Sequence, residues 1–350
     1  MRDFCSVVPT SQVKLRPAGP EDGPAIRSVL ESSFPENPKT RADILDWQYW
    51  SNPFGAARSW VAEDGGEVVA HYAGIALPGV IDGRPVTLSM GVDAATRPSH
   101  RGLGLFEQLA RAVYLDGGKA HMPVTYCLPN PNSLRGFQKA GGEDVGRARV
   151  LVAPVDDGWL ARRFGIPRPV AAAARQAAFR LPAGGAAGMV QSPPDGLDEL
   201  WAETAVTHGV ARHAAWWKWR YSDRPERPYL FVEARRHGRL AGAAAALVRD
   251  DLGGRFLCLL ELMATDRSAA RDVVGCLLRS AHGLLNVDGI AATALSGTAH
   301  YRLARAVGLR PLPRRLEPRP MHVGVVDNAG TLPGIAQAPW SLAWGDLDHI

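Results

Sequence analysis

The chain carries one short pattern twice. "WQYWSNP" and "WRYSDRP" share W-x-Y-x-x-x-P, with Trp47, Tyr49 and Pro53 lying 172 positions before Trp219, Tyr221 and Pro225. Each copy is followed by an apolar stretch, a polar Gly-bearing turn and a second apolar stretch, "VAEDGGEVVA" in one and "FVEARRHGRLAG" in the other, which is the pattern of a β-hairpin. Further on, "TYCLPN…FQKAGG" (125–142) runs beside "ATALSG…ARAVGL" (292–309), where Leu128 to Leu295 and Gly141 to Gly308 are both steps of 167. One shared Trp/Tyr motif arises easily from core packing. Three in the same order, with an offset that drifts by five, point to a duplicated fold.

At 350 residues and 46% apolar content the chain can bury a large core, and its length favours two domains. The Gly-, Pro- and Ala-dense stretch 181–196 has the composition of a connector, and the segment before it reads as short helical pieces broken at Pro167 and Pro169. The expected division is therefore a first domain over 1–150, a helical segment and linker over 151–196, a second domain over 197–326, and a tail over 327–350 that folds back on the body. Each half reads as strand, helices, hairpin, long strand, helix, strand, helix, strand. In the first half these fall near 13–16, 25–31, 43–50, 60–77, 86–94, 104–115, 124–128, 133–140 and 146–152. Leading antiparallel strands closed by one β-α-β crossover make the fold class α+β, with each half a mixed, mainly antiparallel twisted sheet flanked by helices.

Composition narrows the function classes. The first residues lack the roughly 7–15-residue apolar core of a secretory signal and no apolar run is long enough to span a bilayer, so a cytoplasmic protein without a membrane partner is expected. Cys5, Cys127, Cys258 and Cys276 are scattered, with no C-x-x-C pair and no His at ligand spacing, which indicates neither a disulfide framework nor a metal site. Net charge is +5, with no Lys/Arg block interleaved with aromatics. Nucleic acid is not expected; an anionic small ligand or a simply solvated basic surface accounts for the charge.

The stretch "ATRPSHRGLGLFEQLARAV" (95–113) places a basic, glycine-bearing turn at the mouth of an amphipathic helix. A helix N-terminus exposes unpaired N–H groups and a partial positive charge. Gly102 and Gly104 let the backbone approach a ligand there, while Arg97, His100 and Arg101 supply charge around it. A tight strand-to-helix turn with no ligand is the bland alternative.

"RPSHRGLGLF" resembles the pyrophosphate loop of the GNAT acyltransferase superfamily, R/Q-x-x-G-x-G/A between a long strand and a helix. Arg101 and Gly104 match its first and fourth positions, and Phe106 stands where Gly or Ala is usual. "SMGVDAATRPSHRGLGLF" with "YCLPNPNSLRGFQKAGG" is similar to GNAT motifs A and B together, over 86–142, and "VKLRPAGPEDGPAI" looks like the usual first strand and helix. The resemblance implies that the amides of Arg101, Gly102, Leu103, Gly104, Leu105 and Phe106 hold the diphosphate of acetyl-CoA or a related acyl-CoA as co-substrate. It implies too that Ala94, Ala95 and Thr96 border the pantetheine arm, with Asn132, Ser133 and Phe137 on its far side. A tandem arrangement with a degenerate second unit is similarly suggested. Carrying the loop forward by 170 sets Arg101, Gly102 and Gly104 on Arg271, Asp272 and Val274, where side chains and a carboxylate oppose a diphosphate.

Acyl transfer to an amine needs a base, a polarised thioester carbonyl and a proton for the departing thiolate. Asp93, in the small apolar run "MGVDAAT", is the candidate base; its counterpart at offset 170 is Met263. A local cap or ion pair is the competing role for Asp93. The family's usual acid, the Tyr of Y-x-x-x-G, is here Phe137, so Tyr126 is the substitute if its ring reaches the cleft, and water is the other source. Some tandem relatives use the chain's own C-terminal carboxylate as base, which makes Ile350 a rival to Asp93; a simple edge strand is the plainer reading of that segment. The expected activity is N-acetylation of a small polar amine such as an amino sugar, an aminoglycoside-like compound or an amino-acid-derived metabolite, by a monomer or homodimer. A CoA-responsive binding protein without catalysis, and a transferase of a larger acyl or aminoacyl group, remain as alternatives.

Overall fold

The computed structural model describes residues 13–35, 41–179, 182, 185–225, 228–280, 286–317 and 320–347. The first half runs β1 (Lys14–Pro17), α1 (Gly23–Ser33), α2 (Ala42–Leu45), β2 (Arg58–Asp64), β3 (Glu67–Ile81), β4 (Arg84–Thr96), α3 (Leu105–Lys119), β5 (Val124–Cys127), α4 (Pro131–Lys139) and β6 (Glu143–Pro154). Helices α5 (Asp157–Phe164) and α6 (Arg168–Ala178) follow, separated by Gly165, whose φ of 64° ends the first, and by Pro167 and Pro169. The second half repeats the order with β7 (Ala187–Val190), α7 (Leu197–Ala202), β8 (His208–Val210), α8 (Ala214–Trp217), β9 (Leu230–Arg236), β10 (Arg239–Asp251), β11 (Gly254–Ala264), α9 (Arg267–Ser280), β12 (Gly289–Leu295), α10 (Ala299–Ala306), β13 (Arg310–Pro311) and β14 (Met321–Asp327), then a short β15 (Trp340–Ser341). The fold is α+β: helices flank one large, mostly antiparallel sheet.

The repeated W-x-Y motif has a physical purpose. In both copies it sits in a π-helical turn, Asp46–Trp50 and Lys218–Ser222, continuing α2 and α8. The two turns face each other. Trp47 and Trp219 stack with centroids 4.7 Å apart, and each indole N–H donates to the backbone carbonyl of the other Trp. The two tryptophans are therefore core residues that join the halves about a local two-fold relation.

The sheet order, β1-β2-β3-β4-β5-β14-β6-β12-β11-β10-β9-β7, is nearly symmetric about its centre. Each half ends by giving a strand to the other. β14, from the second half, lies against β5 (Val325 opposite Tyr126), while β6, from the first, lies against β12 (Leu151 opposite Ala292). The expected boundary at 150 thus falls inside β6, whose residues 143–154 are one strand. The composition-derived linker also holds structure, because Ala187–Val190 is an edge strand on β9, in the place β1 takes on β2. Short, small-residue strands are tolerated at an edge, where only one neighbour must be satisfied. Asn328 fastens the end of β14: its side chain accepts from Thr125 Oγ1 and donates to the Met122 carbonyl, beneath Gly117 and Gly118 of α3.

The described part of the C-terminal segment is buried through Trp340, Leu342, Trp344 and Leu347. It carries Asp346 into the interior, where Arg212, itself fully buried, pairs with both Asp346 and Glu261. Two carboxylates against one guanidinium leave an excess negative charge out of water, and burial pushes Glu261 up to about 7. Between the ordinary value of 4.5 and about 7, the folded chain holds a proton there that the unfolded chain has released, so this group's contribution to stability declines as pH rises through that window. Glu261→Gln should flatten the slope, read as the difference between urea midpoints at about pH 5 and pH 7 for wild type and variant; identical slopes would rule the proton out. Among the described residues no helix is long and apolar enough to cross a membrane, and no cluster of His, Cys, Asp or Glu is placed to hold a metal ion.

Candidate active site

A groove opens at the connection from β4 to α3. β4 leaves the sheet at Thr96 and passes through a single turn at Pro98–His100. Gly102 and Gly104 then take φ of 85° and 72°, the left-handed region that glycine enters without strain. Gly104 is the N-cap of α3 and has no side chain with which to satisfy the first amides of the helix. These residues line an open groove of about 920 Å³ together with Ser33 and Phe34 at the end of α1, Asn130 and the start of α4. The cationic side chains on its wall are Arg101, Arg135 and Lys139, with His100 beside them.

The groove runs to the point where β4 and β5 part. Their parallel pairing holds from Ser89–Thr125 to Gly91–Cys127 and stops there, while β4 continues to Thr96. Opposite the gap, β4 slips register against β3 between His71 and Ala73, leaving Asp93 and Ala94 in a bulge. Asp93 sits at φ 55°, a left-handed conformation that Asp tolerates better than most residues. Its carboxylate Oδ2 accepts a 2.7 Å hydrogen bond from the Tyr49 hydroxyl, and its carbonyl lies 3.0 Å from His71 Nδ1.

Of the residues singled out from sequence, Ala94, Ala95, Thr96, Arg101, Gly102, Gly104, Leu105, Phe106, Asn132 and Ser133 line this one groove. Leu103 is on the same turn, 54% exposed, and does not line it. Phe137 does not reach the groove either. Its ring is buried so tightly against Gly142 and Gly324 that neither glycine has room for a Cβ, which makes it a core residue under β14. Arg97 is occupied elsewhere, by the Val68 carbonyl, Ser28 and Glu67. Arg135 and Lys139 were missed because the cue is helical spacing: on α4 residues four apart share a face, and that face turns toward the loop.

Tyr126 is buried on the opposite face of the sheet from α3, with Met90, Trp47 and Trp219, and its hydroxyl donates to the Asp346 carbonyl at 3.5 Å. Ile350 lies outside the described residues.

Among the described residues the equivalent connection of the second half is built differently, for a reason other than the one the offset suggests. Arg271, Asp272 and Val274 are not in a loop but inside α9, where Val274 is fully buried. The connection has shrunk to Thr265 and Asp266, and Asp266 Oδ1 accepts from the Ala269 amide at 2.8 Å. That bond and its neighbours hold the Asp266 carboxyl below the usual carboxylate range, so the helix N-terminus is already filled by an anion of the chain itself. The counterpart of Asp93 must also be corrected. Thr96 pairs with Ala70 and Ala264 with Gly242, so β3 maps onto β10 by 172 and β4 onto β11 by 168. Asp93 therefore falls on Glu261, not Met263, and the correspondence extends to their donors, since Tyr221 bonds to Glu261 at 3.3 Å as Tyr49 does to Asp93.

Residues 14–137, from β1 through most of α4, match the family model of the acetyltransferase (GNAT) domain. It is this stretch, 14–137, that is GNAT-like. Solved structures agree over nearly the whole chain. A GCN5-related N-acetyltransferase from Anabaena variabilis superposes with a TM-score of 0.64 at 14% identity, covering 91% of this chain and 73% of its own. A probable N-acyltransferase from Enterococcus faecalis gives 0.65 at 13%, covering 91% and 74%. The N-myristoyltransferase of Saccharomyces cerevisiae, with bound myristoyl-CoA, gives 0.58 at 11%, covering 92% and 84%. At these identities the likeness is one of fold. A search of curated protein sequences found no match. Within residues 14–137 the parted strands, the bulged Asp93 and the glycine turn follow one another along β4 and the loop after it.

Proposed function

We propose that the protein is an acyl-CoA-dependent N-acyltransferase that moves acetyl from acetyl-CoA to an amino group of a small polar metabolite, such as an amino sugar, an aminoglycoside-like compound or an amino-acid derivative. The observation that carries this is the uncapped, glycine-hinged N-terminus of α3 opening on a groove walled by Arg101, Arg135 and Lys139. That arrangement suits a diphosphate, through amides and dipole first and through cationic side chains second. The pantetheine arm then follows Ala94, Ala95 and Thr96 toward the gap between β4 and β5. At the bulge a backbone N–H of β4 polarises the thioester carbonyl, and Asp93 takes a proton from the incoming ammonium. The amine nitrogen bonds to the carbonyl carbon, the C–S bond breaks, and the second proton shed by that nitrogen passes to the departing thiolate directly or through water; Tyr126, which bonds to the Asp346 carbonyl, is not needed. The acceptor's amine is the partner this site calls for.

A short acyl group fits better than a long one. On the far face of β4 and β5, the cavity between Ile75, Leu77, Met90, Tyr126 and Trp47 is only about 20 Å³, room for a water-sized group and not for a fatty chain. The test is release of free thiol from acetyl-, propionyl- and myristoyl-CoA with a panel of amino sugars, aminoglycosides and amino acids. Asp93→Asn should lower kcat about 10²- to 10⁴-fold, the range for loss of a general base, with CoA affinity little changed. Tight CoA binding with no turnover across the panel would instead favour a non-catalytic CoA-responsive protein, and preference for myristoyl-CoA a long-chain transferase.

A further inference from the structure

We propose that Tyr49 and His71 form a two-point clamp that positions Asp93, one holding its carboxylate and the other its backbone. The inference rests on Asp93 acting as the base.

Asp93 is held at a costly place. Its left-handed φ of 55° in the middle of a strand needs surrounding structure to maintain it. Tyr49 is 1% exposed and arrives from the π-helical turn, which adds a residue to the helical repeat and so resets the direction of the side chains that follow. Its hydroxyl donates to Asp93 Oδ2 at 2.7 Å. His71, on the neighbouring strand, stacks on the Tyr49 ring with centroids 5.8 Å apart and planes within 20°. It is fully buried, and burial lowers its pKa, so the ring is neutral. A carbonyl only accepts, so Nδ1 carries the proton and donates to the Asp93 carbonyl, while Nε2, 3.0 Å from Ser59 Oγ, accepts from that hydroxyl. The chain Ser59–His71–Asp93 thus fixes the bulge, and Tyr49 fixes the carboxylate plane above it. The second half supplies a built-in contrast. Tyr221 makes the same contact to Glu261, but Arg212 has taken that carboxylate into a buried ion pair.

Tyr49 and His71 are positioning residues, so the readout must separate orientation from folding. Crystals of wild type and Tyr49→Phe with CoA bound should show the Asp93 carboxylate turned or spread over several rotamers in the variant, with β3 and β4 unchanged. In kinetics, Tyr49→Phe should lower kcat about tenfold or more, the scale of a hydrogen bond to a charged group, and leave KM for acetyl-CoA within about twofold. In an Asp93→Asn background the same change should cost nothing further, because the two act as one unit. Tyr221→Phe, the same loss of a hydroxyl at the equivalent place, should leave kcat unchanged. An Asp93 carboxylate in its original rotamer in the Tyr49→Phe crystal, or losses that multiply in the double variant, overturns the clamp. A fully active Asp93→Asn overturns the base itself, which is a separate failure.

Discussion

Gly104→Asp should abolish measurable CoA binding while leaving the fold in place. No atom but the end of the Gln108 side chain, at 3.9 Å, lies within reach of a Cβ at this position. The penalty in the free protein therefore comes from the φ of 72° alone, about 1–2 kcal/mol for an L-residue in the left-handed region. A carboxylate at a helix N-cap returns about 0.5–2 kcal/mol by bonding the first amides of α3. Those are the same amides that the diphosphate needs. Two like charges about 4 Å apart near a protein surface repel by about 4 kcal/mol, which is a factor of order 10³ in affinity before the lost amide contacts are counted. Calorimetric titration with CoA should show a Kd raised by at least about 10², and CoA should no longer raise the thermal midpoint. Gly104→Ala, which brings the strain without the charge, should cost only about tenfold. Equal affinity in wild type and Gly104→Asp would mean that the diphosphate does not lie on this turn. The second half already shows the substituted state, with Asp266 seated on the N-terminus of α9.

Arg212→Leu should be among the most destabilising single changes the chain can suffer. Arg212 has no exposed surface; it bonds to Glu261 at 3.0 Å, to Asp346 and to the Val210 carbonyl, and its charge faces the ring of Trp216 at 5.3 Å. Removing it strands two carboxylates in the interior, and breaking a buried pair in this way costs about 3–5 kcal/mol. Asp346 is also the anchor of the C-terminal segment that covers Tyr126 and the small cavity behind β4, so the loss should loosen that segment first. Urea denaturation should shift to markedly lower concentration, with partial recovery as pH falls and Glu261 protonates. The triple change Arg212→Leu, Glu261→Gln, Asp346→Asn removes all three charges and should recover more than half of the deficit. An unshifted urea midpoint for Arg212→Leu would show the pair to be energetically idle. Since Glu261 is the counterpart of Asp93, the same comparison contrasts a carboxylate locked in the core with one that precedes a groove-lining residue, Ala94.

Much of the site is legible in the sequence because its information is local. A glycine at positive φ, an uncapped helix start and a strand-turn-helix order occupy consecutive positions, and 94–106 could be read as one unit. Arg135 and Lys139 escaped because their place in the groove depends on how α4 lies against the loop. Phe137 was misread for the complementary reason: motif position suggested the groove, but the close approach of Gly142 and Gly324 provides a slot in the core that an apolar ring fills at lower free energy. The Met263 counterpart failed because a constant offset ignores bulges and shortened connections, which move the register by a residue or two and so change which side chain meets Tyr221.

The sequence by itself determined the duplication, the α+β class and the glycine turn, each written in neighbouring residues through periodicity, φ preference or capping. Only the tertiary structure decided that β14 and β6 cross over to complete one another's sheets, that the tryptophans of the repeat stack at the seam, and that Tyr49 and His71 converge on Asp93. Strand partners and buried hydrogen bonds join residues far apart in the chain, and the choice among them follows from which pairing buries the most apolar surface while leaving the fewest polar groups unsatisfied, a property of the whole core that no short window contains.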